Sequence, residues 1–214
     1  MIIALNASPR TDWNTATLLG KALEGAQSAG AQTALVHLYS LKPFYGCVSC
    51  FACKRKGGNL GHCAMHDELT PLLDDIREAD GLILGSPIYW WDVTAAMRAF
   101  LERLLFSNML YNRDRRWVFP KTMPAALIYT WGAEWGRVEP KLSRFKETED
   151  NLGEMLGMPV RTLHSFDALQ FDDYSKYEAD KIDVAAKTRH REEVFPQDCA
   201  KAFDLGAAIA AASK

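Results

Sequence analysis

Short apolar runs that stop abruptly alternate along this chain with longer stretches whose apolar residues recur every three or four positions. Ile2-Ile3-Ala4-Leu5 ends at Asn6-Ala7-Ser8-Pro9, the pattern of a buried strand running into a turn. From Asn14 to Ala29, Leu18, Leu19, Ala22 and Ala26 keep helical spacing, and Gly30 stands where a C-terminal cap belongs. Thr33 to Leu38 reads as a second strand. A helix starting near Thr70-Pro71 turns Leu72, Leu73 and Ile76 inward and stops near Asp80-Gly81. Leu82-Ile83-Leu84 is a third strand, followed by a loop from Gly85 to Trp90. Then comes an amphipathic helix with Met97, Phe100, Leu101, Leu104 and Leu105 on one stripe. Ala125 to Tyr129, a helical region from about Lys141 to Leu156, a strand from Val160 to His164 and an alanine-rich helix from about Gln197 to Ala212 complete the series.

Strands that alternate with helices imply a parallel sheet covered on both faces, because parallel neighbours are joined by right-handed helical crossovers. The expectation is an α/β fold in three layers, with five parallel strands in the order 2-1-3-4-5. Length suits one domain over residues 1–214. Two stretches interrupt the alternation: a cysteine-rich loop at about 43–66, and a polar arm at about 166–196 that is expected to pack on a partner subunit.

Composition narrows the class of partners. A net charge of −2 provides no field to recruit nucleic acid, no apolar run is long enough to span a bilayer, and the amino terminus carries no basic leader. A cytoplasmic protein is expected. In a reducing compartment the five cysteines speak for metal or redox chemistry before disulfides.

In such sheets ligands bind where the carboxyl ends of the strands meet the reversal of strand order, which selects three loops. The first holds Ser8, Arg10, Asn14 and Thr15 beside a helix N-terminus, a donor set that suits a phosphate; Asn14 and Thr15 are also ordinary capping residues. Neither the G-x-G-x-x-G fingerprint nor the P-loop is present, which favours a mononucleotide. The second loop sets Pro87, Ile88, Tyr89 and Trp90 after a buried strand and fits a flat ring, although aromatics there also serve packing or subunit contact. The third adds Thr130, Trp131 and Gly132. Cys47, Cys50 and Cys53 recur every third residue, with Cys63 ten positions on: the set offers four thiolates to one cluster, a zinc site, or free thiols packed under a loop. His62 and His66 sit beside Cys63 within reach of a metal site, but read first as loop hydrogen-bonding residues; Asp172-Asp173 reads as a solvated face and Cys199 as core.

The opening Asn6-Ala7-Ser8-Pro9-Arg10 with Asn14-Thr15, the Cys-x2-Cys-x2-Cys segment, Cys63 followed by Asp67-Glu68, and the block from Gly85 to Arg103 together resemble the NADPH-dependent FMN reductase and iron-sulfur flavoprotein group of the flavodoxin-like superfamily. Ala7, Trp91 and Arg98 depart from the usual glycine, small residue and lysine. The resemblance implies that Ser8, Arg10, Asn14 and Thr15 hold the phosphate of FMN, that Pro87, Ile88, Tyr89 and Trp90 line the ribityl chain and isoalloxazine, and that Thr130, Trp131 and Gly132 border the ring. It implies NADH or NADPH as electron donor, a flavin, quinone or related small acceptor, and a homodimer or tetramer. A [4Fe–4S] cluster on Cys47, Cys50, Cys53 and Cys63 accompanies the alternative role, an electron carrier between redox proteins. No catalytic side chain is named, since the flavin carries the chemistry.

Overall fold

The computed structural model describes residues 1–214. In chain order the elements are β1 (Ile2–Asn6), α1 (Asn14–Ser28), β2 (Thr33–His37), α2 (Leu69–Glu78), β3 (Gly81–Tyr89), β4 (Asp92–Val93), α3 (Ala95–Asn108), β5 (Ala125–Thr130), α4 (Trp135–Val138), α5 (Ser143–Leu156), β6 (Arg161–Ser165), α6 (Val184–Glu193) and α7 (Phe195–Ala212). The main sheet is parallel throughout, in the order β2-β1-β3-β5-β6. Without the two-residue β4, which pairs antiparallel to the end of β3, this is the expected order 2-1-3-4-5. No helix is long and apolar enough to cross a membrane.

The apolar runs lack alternation because both faces of the central strands are covered. Ile3, Leu5, Leu82, Leu84, Leu127 and Tyr129 face one core, built with α2, α3 and α5. Ile2, Ala4, Ile83, Ala126 and Ile128 face the other, built with α1 and α7. The α1–α7 contact is a backbone approach: a Cβ on Gly206 would lie 1.7 Å from the Ala22 carbonyl oxygen, so only glycine lets these helices touch.

One boundary differs from expectation. The third strand runs on through Gly85 to Tyr89, expected as loop, because β5 pairs with it as far as Pro87 and β4 holds its last two residues. The helical region expected from about Lys141 to Leu156 is α5, preceded by α4 and a 3-10 turn over Glu139–Lys141 that contains Pro140, which removes a helix donor. The arm at 166–196 makes hydrogen bonds to its own chain, from Trp13 and Asn14 to the Leu169 carbonyl. It supplies α6 and crosses the carboxyl ends of the strands.

Candidate functional site

The reversal of strand order between β1 and β3 opens a cleft at the carboxyl end of the sheet. The first loop is shaped from beneath by Asn6, fully buried at the end of β1. Its Oδ1 accepts from the Ser8 N–H at 2.9 Å, and its Nδ2 meets His37 Nδ1 at 2.9 Å and the Arg10 carbonyl at 3.3 Å. Ser8 Oγ accepts from the Arg10 N–H at 3.1 Å. The chain then enters α1 with Trp13 at the N-cap position, and no side chain caps the helix, so its first N–H groups keep their capacity to donate. The second loop is tied to the first by Thr94, whose hydroxyl donates to the Ala7 carbonyl at 2.9 Å and accepts from the Met97 N–H at the start of α3. The third is tied to α1 by the contact of the Thr15 and Thr130 hydroxyls at 2.8 Å.

These ties bring the sequence-selected residues to one place. Ser8, Arg10, Asn14, Thr15, Pro87, Ile88, Tyr89, Thr130, Trp131 and Gly132 all line one cleft, with Trp13, Ala168, Leu169 and Gln170 completing the wall. Trp90 is the exception. It is 94% exposed at the tip of the β3–β4 hairpin and borders the adjoining groove together with Trp91 and Trp131. Trp90 and Trp91 both have positive φ, 50° and 68°, in a two-residue hairpin loop where asparagine and glycine are the favoured pair. Such outliers persist where the surrounding structure imposes them.

Sequence reasoning passed over Asn6, Trp13 and the 168–170 stretch. Trp13 carried a weak signal, an aromatic directly before a helix; Leu169 and Gln170 carried none. Trp13 Nε1 and Asn14 Nδ2 both donate to the Leu169 carbonyl, at 3.0 and 2.8 Å, and the Arg10 guanidinium donates to the Gln170 carbonyl.

Behind the cleft, Trp131 is almost fully buried, and its Nε1 donates to His164 Nδ1 at 3.2 Å. His164 stacks on Tyr129 at 4.9 Å and on Phe166 at 5.8 Å. Burial pushes the His164 imidazole down to about 4, so it stays neutral and can accept. Burial likewise pushes the Tyr129 phenol up, and its hydroxyl donates to Glu149 Oε1 at 3.1 Å. The donors of the first loop suit a phosphate, and the aromatic, glycine-edged walls suit a flat ring, so the residues fit FMN.

The cysteines of the 43–66 loop differ in exposure. Cys53 is buried on a 3-10 turn over Ala52–Lys54, Cys50 is exposed between two left-handed residues, Ser49 and Phe51, and Cys47 and Cys63 are half-buried. As folded, no three His, Cys, Asp or Glu side chains stand together as a preformed metal-binding group, and all five cysteines are free thiols. Burial pushes the Cys53 thiol up, Lys54 draws it down, and Cys63 and Cys47 lie near enough to add to the rise. His62 pairs with Asp74 at 2.9 Å, the loop role expected of it.

Residues 1–143 match the family model described as NADPH-dependent FMN reductase. An iron-sulfur flavoprotein of Methanocaldococcus jannaschii is 33% identical over 102 residues, which are 48% of this chain and 50% of that one. An iron-sulfur flavoprotein of Archaeoglobus fulgidus is 34% identical over 103 residues, 48% of this chain and 44% of its own. The chain spans about half the length of these curated relatives. Among solved structures, an NAD(P)H:quinone oxidoreductase from Methanothermobacter marburgensis superposes with a TM-score of 0.67 at 16% identity, covering 96% of this chain and 94% of the other. An azoreductase from Bacillus anthracis superposes with a TM-score of 0.64 at 14% identity, covering 97% and 98%. At such identities the likeness establishes the flavodoxin-like fold, while the family rests on the stretch that begins in β1 and runs into α5: this chain belongs to the NADPH-dependent FMN reductase family.

Proposed function

We propose that this chain is an FMN-dependent oxidoreductase that takes electrons from NADH or NADPH and passes them to a small acceptor such as a flavin or a quinone. One observation carries the reading: the loops after β1, β3 and β5 converge on a single cleft with an uncapped helix N-terminus at one end and Trp131-Gly132 at the other. Ser8, Arg10, Asn14 and Thr15 hold the phosphate, with the N-terminal dipole of α1 behind them. Pro87, Ile88 and Tyr89 line the ribityl chain and ring, Trp90 borders the adjoining groove, and Thr130, Trp131 and Gly132 border the edge of the ring. The bound flavin supplies the hydride chemistry. The protein orients it, keeps water from its buried side with Trp131, and leaves the groove beside Trp90 and Trp91 for donor and acceptor. The exposed Trp90 suits burial against a second copy, so a homodimer or tetramer is the expected assembly. Five unpaired cysteines suit a reducing, cytoplasmic setting.

Anaerobic addition of NADH or NADPH to the FMN-loaded protein tests this reading. Rapid bleaching of the flavin supports it; indifference to both nucleotides, with ready reduction by ferredoxin, transfers the chain to the electron-carrier reading. That second reading is favoured by the relatives named as iron-sulfur flavoproteins and opposed by the net charge of −2, small for a carrier that docks through an acidic surface. Iron and sulfide analysis of protein purified without oxygen decides the cluster, and about four irons per chain establish it.

A further inference from the structure

Part of the cleft is built from residues beyond 143, outside the stretch that matches the family model. The 166–170 segment crosses its mouth, and α6 then sends one side chain back to the opposite rim. Lys187, 6% exposed, donates from Nζ to the Gly132 carbonyl at 2.9 Å, to Asp167 Oδ1 at 2.7 Å and to the Ala168 carbonyl at 3.3 Å. An ammonium has three N–H donors, and here each has an acceptor. Lysines that only anchor a surface helix leave the head group in water. This one is buried between the β5 loop and the crossing segment. Asp167 is held from two directions. Its N–H donates to the Ala133 carbonyl at 2.9 Å, and its backbone is left-handed, with φ at 49°.

We propose that Lys187 is a positioning residue, and that with the half-buried Asp167 it forms a charge pair which fixes the Trp131-Gly132-Ala133 loop and sets the electrostatic potential at the ring end of the cleft. The inference rests on the reading that the cleft holds FMN. The geometry assigns the two charges separate consequences. Adding electrons to a ring at this loop is favoured by a nearby cation and opposed by an uncompensated carboxylate. A pair that served folding alone would have no sign.

The test compares FMN dissociation constants and flavin midpoint potentials, measured against a reference dye, for the unmodified protein, Lys187→Met and Asp167→Asn. Lys187→Met is expected to raise the dissociation constant about tenfold, the worth of one charge-assisted hydrogen bond, and to lower the potential. Asp167→Asn is expected to raise the potential. The double variant Lys187→Met/Asp167→Asn carries neither charge, so its potential returns toward that of the unmodified protein while its dissociation constant stays raised. It also serves if the lone, half-buried carboxylate of Lys187→Met prevents folding. Shifts of one sign in both single variants, or a double variant displaced as far as a single one, overturn the proposal. So does an unchanged FMN affinity in Lys187→Met. Failure of the unmodified protein to bind FMN is a different result, which overturns the reading of the cleft and this inference with it.

Discussion

Acidification should weaken this protein through His164, and the size of the effect can be worked from its surroundings. The ring lies between Tyr129 and Phe166 and accepts from Trp131 Nε1 at 3.2 Å. Burial lowers its protonation to about 4 from an ordinary 6.5, so between those values the unfolded chain takes up a proton that the folded one refuses. Stability therefore falls as pH drops from 6.5 toward 4 and is unaffected by this group above 6.5. The full gap corresponds to about 3 kcal/mol at about 1.4 kcal/mol per pH unit, and the partial exposure of His164 reduces it by screening to about 1–2 kcal/mol. Glu149 works in the opposite sense, because burial raises its carboxyl and protonation then favours the folded state. The comparison that isolates His164 is urea unfolding of the unmodified protein and of His164→Phe, followed by fluorescence at several pH values from 7 to 4. Phenylalanine keeps the stacking and leaves the Trp131 N–H without an acceptor, a cost of about 1–2 kcal/mol at neutral pH. The stability gap between the two proteins should then narrow by about 1–2 kcal/mol on going to pH 4, with the Glu149 contribution cancelling. A gap that stays constant across the range refutes the reasoning.

Three further outcomes are expected. Gly206→Ala, which forces a methyl group into the Ala22 carbonyl, should cost about 1–3 kcal/mol and lower Tm, whereas Gly20→Ala, with nothing within 4 Å, should raise stability by about 0.5–1 kcal/mol; like-signed Tm shifts would contradict the packing account. Trp90→Asn with Trp91→Gly places the favoured residues at two positive-φ positions, so it should gain about 1 kcal/mol in urea unfolding while slowing NAD(P)H oxidation. Arg103→Met removes a fully buried guanidinium that binds Asp67 and the Thr70 hydroxyl, at 2.9 Å for the latter. Burial raises the Asp67 carboxyl, but the hydrogen bond and charge of Arg103 outweigh this and hold it below the usual range; loss of that partner should cost about 3 kcal/mol by urea unfolding.

What the sequence by itself determined is the layer plan. Ile2 to Leu5, Leu82 to Leu84 and Ala125 to Tyr129 read as central strands because burial on both faces writes itself into consecutive residues. The helices were legible because one stripe in each meets the sheet. The strand order placed Ser8, Asn14, Pro87 and Thr130 at one edge before any coordinate was known, since loops at the switch point must converge there.

Only the tertiary structure decided the rest. That the 168–170 stretch closes the cleft depends on hydrogen bonds from Trp13 and Asn14 across more than 150 residues, and neither partner's local sequence encodes the other. The left-handed backbone at Ser49 and Phe51 and the turn at Ala52–Lys54 shape the cysteine loop, which a three-residue repeat of cysteines cannot report. The neutral state of His164 and the burial of Lys187 likewise follow from what packs around them. Periodicity records how a residue meets its own element, while pairings between distant elements arise only when the sheet has brought them together.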